Sequence, residues 1–375
     1  MSKENVISED DRYRMSSQFR LWSFSPQALY ELRRVTNQSA ADRVRDACQR
    51  ARVAQNSSGE RENLAETSEK EQEVEYLTVE EELKLLSFYC RQTLQLGDHL
   101  NLPSDVKATA IQFLKRFYVT NSLMTYHPTD ILKTALFFAT KTENYYFHLT
   151  KFAEAIGKTK TEDVLASEFI LTQGLRFTFD VRHPYRALEG AIMELQAISK
   201  KQIPILPGKS DIILEKPKNM ERRVKEAHGK AREFLKSSSL LTDAYFHYTP
   251  SQIMMAALVN ADKDLAIWYL DKKLTDVEPA DIKEKILGTI HACANMLKTV
   301  DPRAEQLIDE RKELQGLAKK LKKCRNPEKI DLAGLQRAKR EGDQGYGEKA
   351  AKKRKLEGEN LGKVDDVFGP RISLK

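Results

Sequence analysis

Two charged residues, Lys141 and Glu168, lie in stretches of sequence that are otherwise apolar and helical in pattern. At about 100° per residue, residues 130–143 form a helix that is apolar over most of its circumference, with Lys141 on a narrow polar edge. Glu168 falls beside Leu165 within the apolar stripe of a later helix. Charges at such positions predict either an internal ion pair or the recognition of a partner, and the helix dipole also favours a lysine in a last turn.

The same polar edge contains a phenylalanine. Phe137 lies there together with Lys133, Thr134 and Lys141. Helical periodicity gives no reason for an aromatic side chain on the polar edge of a helix that is otherwise buried. The pattern therefore singles out Phe137 as a candidate site residue without assigning its role.

No residues of the sequence have the composition and spacing of a catalytic or metal site. The cysteines are far apart and form no Cys-x-x-Cys pair: Cys48, Cys90, Cys293 and Cys324. Glycine-rich phosphate loops, His-Glu-x-x-His, Gly-x-Ser-x-Gly and kinase signatures are missing. The sequence therefore predicts a protein that is not an enzyme and that holds no metal or cofactor.

The charge distribution argues against nucleic acid as the first partner. Residues 301–375 hold 20 Lys and Arg against 14 Asp and Glu, whereas residues 1–300 hold 42 against 41. A folded surface that follows phosphates would concentrate the excess on the globular part. The start of the chain lacks an apolar segment, and the longest apolar run, ALFFA, is too short to cross a bilayer. We therefore expect an intracellular, soluble protein.

Helix signals dominate from Leu77 to about Arg325. The sequence TVEE, residues 78–81, is a capping box that opens a first helix, and a second begins at Ser104. A third follows Pro128, a short fourth lies near LTKFAEAI, and a fifth is expected over residues 161–174, ending at its glycine. The segment LRFTFDV then alternates like a strand but has no partner strand, so it predicts an extended connector.

An internal repeat indicates two similar domains. A shift of 122 positions places PTDILKTALFFATK, from Pro128, on PSQIMMAALVNADK, from Pro250. The tripeptide FLK at Phe113 recurs at Phe234, in both cases one helix before the proline. The predicted fold class is all-α, with two tandem five-helix repeats and additional N- and C-terminal helices. The expected divisions are an arm at 1–38, a disordered linker at 39–75, repeats at 76–181 and 182–300, a helix at 301–326 and a basic tail at 327–375.

The N-terminal arm contains an amphipathic helix in the sequence LWSFSPQALYELRRV. Pro26 suits the first helical position, and Phe24 can pack onto Leu29. Trp22 also needs an apolar environment. Two interpretations remain open: the arm docks on the core of the protein itself, or it also contacts a partner.

The basic tail contains a pattern typical of a bipartite nuclear import signal. The first cluster is Lys339 and Arg340, and the second, eleven residues later, is Lys352, Lys353, Arg354 and Lys355. The alternative is a basic tail that is only solvated.

The sequences LFFATKTEN and DVLASEFILTQGLRFTFDV resemble the cyclin box, and two five-helix repeats resemble the cyclin fold. In that family the third helix ends in a lysine and the fifth carries a glutamate, and Lys141 and Glu168 occupy those positions. The resemblance implies that the pair contacts a kinase near its mobile αC helix and that Phe137 faces the kinase. A second acid usually follows the third helix, but this sequence has Asn144 there.

Similarity over residues 16–36 and 77–326 implies a particular role within the cyclins. That role is the regulatory subunit of a CDK-activating kinase, joined by a RING-finger assembly factor, within nuclear general transcription factor IIH. The complex would phosphorylate the RNA polymerase II C-terminal domain and other cyclin-dependent kinases. Two alternatives remain: a helical scaffold that does not activate an enzyme, and a promoter-binding factor of the transcription factor IIB type, whose zinc ribbon and basic fold are absent from the sequence.

Overall fold

A computed structural model describes residues 9–57, 75–157, 159–200, 217–274, 280–300 and 308–325. Within these ranges the chain forms helices and no strand, which confirms the predicted all-α class. The described residues form two compact units. The first-repeat unit takes its residues from Pro26–Phe179 and Ile308–Lys375, and the second-repeat unit takes them from Met1–Ser25 and Asp180–Leu307.

The first-repeat unit is arranged around two largely buried helices that pack on each other. Its helices are α3 (Pro26–Ser57), α4 (Val79–His99), α5 (Ser104–Thr120), α6 (Pro128–Thr142), α7 (Leu149–Ala155), α8 (Thr161–Leu165), α9 (Glu168–Gly174) and α17 (Ile308–Lys323). The predicted capping box of α4 is present, because Thr78 and Glu81 bond reciprocally to each other's backbone N–H groups. The two buried helices are α5 and the central helix α6, on which Ile131, Ala135 and Leu136 are fully buried.

The second-repeat unit has a corresponding central helix. Its helices are α1 (Glu9–Met15), α2 (Ser17–Trp22), α10 (Tyr185–Ser199), α11 (Pro217–Lys236), α12 (Ser238–Leu241), α13 (Ala244–His247), α14 (Pro250–Ala261), α15 (Lys263–Lys273) and α16 (Ala280–Lys298). The helix α14 begins at Pro250, as α6 begins at Pro128, and Thr249 with Gln252 forms its capping box. The 122-residue shift therefore matches the central helices of the two units.

The N-terminal arm is divided between the units. Trp22 is fully buried, and the N–H of Phe24 donates to the carbonyl of Phe246 at 2.8 Å. The side chain of Gln18 accepts a hydrogen bond of 2.7 Å from the N–H of Arg182, and Arg182 also lies in the second-repeat unit. Leu29 is 1% exposed on α3, in the first-repeat unit. These contacts favour the interpretation that the arm docks on the protein's own core.

The predicted linker begins too early. The helix α3 continues to Ser57, well past residue 39, and residues 58–74 lie outside the described ranges. The continuation buries small apolar side chains at helical spacing: Ala40, Ala41, Val44 and Ala47. Alanine is a strong helix former but contributes little hydrophobicity. The buried face of this part of α3 therefore gives no clear hydrophobic periodicity in the sequence.

The predicted fifth helix is wrong as a single element, because it is divided into α8 and α9 at Ala166 and Ser167. The predicted end of that helix is correct, because Gly174 is the last residue of α9. A Cβ atom at this glycine would lie 2.5 Å from Cδ2 of Phe117, so the residue is required for close packing. The predicted connector follows without forming a strand, and Phe179 packs edge-to-face on Phe138.

Gly174→Ala is expected to lower the free energy of unfolding by about 1–3 kcal/mol, because the buried ring of Phe117 has little room to move. Gly190→Ala on α10 is the matched control, since no atom lies within 4 Å of its Cβ position. The control is expected to stabilise by about 0.5–1 kcal/mol. Urea unfolding of both variants measures the difference, and a Gly174→Ala variant as stable as the wild type would contradict the packing argument.

The C-terminal helix α17 belongs to the first-repeat unit, where it contacts α4. Leu317 and Leu321 on α17 are buried, and so is Cys324 directly after the helix. Lys320 donates to Glu81 at 2.8 Å, and Lys84 donates to Glu313 at 2.5 Å. An apolar seam flanked by ion pairs thus fixes α17 to α4.

Candidate functional site

The two predicted charges form a direct ion pair. Nζ of Lys141 donates to Oε1 and to Oε2 of Glu168, each at 2.8 Å. Lys141 lies in the last turn of α6, and Glu168 is the first residue of α9. The two side chains are 42% and 24% exposed, so the pair is on the surface of the first-repeat unit and accessible to a partner.

The break between α8 and α9 positions Glu168. Thr134 on α6 is 1% exposed and donates its hydroxyl to the carbonyl of Val164 at 2.6 Å, which ties α8 to α6. Ser167, immediately before Glu168, is fully buried. Because the chain leading to Glu168 is anchored at Val164 and buried at Ser167, the backbone that presents the carboxylate to Lys141 is already ordered.

Phe137 does not lie on the outer edge. It is only 6% exposed, and its ring centroid lies 5.1 Å from that of Phe152 on α7. Nζ of Lys141 lies 5.0 Å from the Phe137 centroid, within the range of a cation–π contact. Phe137 is therefore largely covered within this unit, because α7 packs on a face that a single-helix projection leaves open, and its contact with a kinase stays a prediction. The Phe137 ring thus contacts the ammonium group of Lys141 and helps to hold it beside Glu168.

Asn144, at the position where the cyclin pattern has an acid, ends α6 in a left-handed conformation. Asn144 has φ of 54°, a left-handed conformation that asparagine tolerates better than most residues. Its N–H donates to the carbonyl of Lys141 at 3.3 Å, and the N–H of Tyr145 donates to the carbonyl of Thr140 at 2.9 Å. This is the Schellman pattern of a helix C-terminus. The preceding acid, Glu143, accepts from the hydroxyl of Thr109 at 2.6 Å.

Two histidines that lie just before helices α6 and α10 make structural contacts. Nδ1 of His127 accepts from the N–H of Thr129 at 3.3 Å and caps α6, and burial lowers the pKa of His127. The ring of His183 lies 3.0 Å from the hydroxyl of Tyr245.

Among the described residues, no three His, Cys, Asp or Glu side chains are grouped to hold a metal ion. The described helices also include none with the length and apolar character needed to span a bilayer.

Sequence analysis missed the aromatic loop beside the pair. We define it as residues 144–147, the sequence Asn-Tyr-Tyr-Phe after α6. The available signal was a run of three aromatic residues shortly after the end of α6.

The predicted import residues lie outside the described ranges: Lys339, Arg340, Lys352, Lys353, Arg354 and Lys355.

The fold and the ion pair define a cyclin-type protein, and comparisons with known proteins agree. The cyclin C-terminal domain family matches residues 183–298. Cyclin mcs2 of Schizosaccharomyces pombe is 30% identical over 84% of this chain and 86% of its own length. Cyclin CCL1 of Saccharomyces cerevisiae is 35% identical over 72% of this chain, and the match spans 63% of that relative.

A solved structure is similar over most of the chain. A chain in the CAK complex of Chaetomium thermophilum bound to ATP-γ-S has a TM-score of 0.72 and 38% identity, covering 95% of this chain and 100% of that one. The chain belongs to the cyclin family. Cyclin-H proteins are among its relatives, so its place within the family is with cyclin H and the yeast counterparts.

Proposed function

We propose that this chain is the regulatory cyclin subunit of a CDK-activating kinase, which binds and activates a cyclin-dependent kinase and carries out no catalysis itself. The observation that carries the proposal is the accessible ion pair of Lys141 and Glu168 at the position where cyclins contact their kinase. The similarity to a chain of a CAK complex supports the choice of kinase.

Activation is a shift between two kinase states. The cyclin seats the αC helix of the kinase so that its glutamate reaches the ATP-binding lysine. To move the kinase from one active molecule in a hundred to ninety-nine in a hundred, the cyclin must bind the active state more tightly than the inactive state by about 5.5 kcal/mol. An exposed ion pair contributes about 0–1 kcal/mol, so most of the binding energy comes from apolar contact around it. The ion pair then fixes the register of αC, and Phe137 holds the lysine in place.

The assignment to cyclin H extends the proposal to a larger assembly. A RING-finger assembly factor joins the two subunits, and the complex acts in the nucleus within transcription factor IIH. Its substrates are the RNA polymerase II C-terminal domain and other cyclin-dependent kinases. Binding does not involve sequence-specific recognition of nucleic acid or attachment to a membrane.

Reconstitution separates an activating cyclin from a scaffold. The purified chain is mixed with its monomeric kinase, and phosphorylation of a C-terminal-domain peptide is measured with and without the chain. An activating cyclin increases the rate at saturating peptide, whereas a scaffold binds the kinase and leaves that rate unchanged. Binding without activation would establish the scaffold.

Nuclear import by the tail is a separate expectation. Replacing Lys352, Lys353, Arg354 and Lys355 with alanine is expected to slow nuclear entry of the free subunit, because importin-type recognition of bipartite signals depends on both basic clusters. Kinase activation should not change, since the substituted residues lie outside both repeats. Live-cell imaging of the chain expressed without its kinase measures the rate. Four alanines at Lys225, Lys230, Lys236 and Lys298 remove the same charge elsewhere, and equal slowing by that control would show that only net charge matters.

A further inference from the structure

The aromatic loop exposes two tyrosines beside the Lys141–Glu168 pair. Tyr146 is 87% exposed and Tyr145 is 36% exposed. Tyrosine is enriched among the residues that dominate binding energy at interfaces, because it buries a large area with few rotatable bonds. Resting on the proposed function, we infer that Tyr145 and Tyr146 anchor the same kinase, and that their counterpart is an apolar cleft rather than a basic side chain.

The backbone of the loop is held in place before any partner binds. The Schellman bonds of Asn144 and Tyr145 to Lys141 and Thr140 fix the direction in which the chain leaves α6. A loop that is already ordered loses less conformational entropy on binding. The exposed ring of Tyr146 is therefore presented from a defined backbone, two residues after the Schellman position of Asn144.

A continuous series of aromatic rings joins the loop to the ion pair. The centroids of Tyr145 and Phe147 are 6.5 Å apart, and those of Phe147 and Phe152 are 5.7 Å apart. Phe152 in turn contacts Phe137, above which Lys141 lies. The loop thus packs through Tyr145 and Phe147 on the same buried aromatic cluster that contacts Lys141. Tyr146 follows Tyr145 directly in the chain, so a partner that covers the pair and Tyr145 would also meet Tyr146.

The loop carries no charge, which determines the chemistry of its counterpart. Residues 144–147 are all neutral, and Asn144 occupies the position where the cyclin pattern has an acid. The carboxylate of Glu143 is already bonded to Thr109 of α5. A basic residue on the kinase would find no charged partner within the loop itself, whereas an apolar cleft would bury the tyrosine rings and leave their hydroxyl groups at its rim.

The test measures binding of the purified monomeric kinase to variants of the full chain by calorimetry. Tyr146→Ala is expected to weaken binding about 30-fold, the loss typical of a dominant interface residue. Tyr146→Phe should retain affinity within about 3-fold if the ring provides the contact. Asn144→Asp distinguishes the chemistry: recognition by a basic residue predicts tighter, salt-dependent binding, whereas an apolar cleft predicts no gain.

Met193→Ala is the matched control, because this large side chain is 69% exposed on α10 in the other unit. It should bind like the wild type, and the thermal midpoints of all variants should agree because the altered residues are exposed. Wild-type affinity in Tyr146→Ala, or tighter binding in Asn144→Asp, would overturn the inference and leave the proposed function intact. A wild-type chain that neither binds nor activates the kinase would instead overturn the proposed function.

Discussion

Kinase binding and kinase activation are both expected to fall when Lys141 or Glu168 is replaced with alanine. Each single truncation is expected to cost about 2–5 kcal/mol of binding free energy, since it leaves the other charge unpaired in the interface. The double variant should lose less binding free energy than the two single variants lose in sum, because it removes both charges together and leaves neither unpaired. Calorimetry gives the binding terms, and the rate of peptide phosphorylation gives the activation.

An exposed ion pair elsewhere in the same unit provides the control. Arg34 donates to Glu31 at 2.6 Å, and the two side chains are 55% and 56% exposed. Replacing both of these residues with alanine should leave binding within experimental error, because nothing places them at the kinase contact. Undiminished activity of the reconstituted complex with the Lys141 and Glu168 double variant would reject the assignment of this site.

Trp22→Ala is expected to lower the free energy of unfolding by about 3–5 kcal/mol, because it empties the site of a large, fully buried side chain. For a unit of this size, that loss lowers the thermal midpoint by roughly 10 °C. Differential scanning calorimetry of the full chain measures the shift.

Met15→Ala is the matched control on the arm, because Met15 is 59% exposed in the same segment. Its effect should stay within about 0.5 kcal/mol. If Trp22→Ala left the stability unchanged but weakened kinase binding, the arm would instead be a docking element for the partner. The experiment therefore decides between the two interpretations that the sequence leaves open.

Features encoded by neighbouring residues could be predicted from the sequence. The capping box at Thr78, the start of α5 at Ser104 and the prolines that open α6 and α14 all depend on a few adjacent side chains. The internal repeat was also visible, because both central helices keep their proline and apolar spacing. These signals were sufficient for the all-α class and the correspondence between the two central helices.

Features that depend on contacts distant in sequence were missed. Phe137 is covered by α7, which a projection of α6 alone cannot show. Glycine is needed at position 174 because the ring of Phe117, more than fifty positions earlier in the sequence, leaves no room for a Cβ atom, and not because of the backbone conformation. The C-terminal half of α3 escaped notice because alanines form its buried face. For the candidate site, the sequence identified the two charges, but not the break that positions Glu168 or the aromatic loop beside them.

The division of the chain between its units has a consequence for synthesis on the ribosome. The first-repeat unit is completed by α17, whose Leu321 is buried in it together with Cys324 directly after the helix, so its last element is among the last described residues to be translated. Residues 9–25 emerge first but belong to the second-repeat unit, whose helices follow much later. The first-repeat unit can therefore not finish folding as soon as its own repeat has emerged, and the nascent chain holds exposed apolar surface until α17 has been translated. A stop codon directly before α17 would accordingly destabilise the first-repeat unit, although the lesion lies downstream of both repeats.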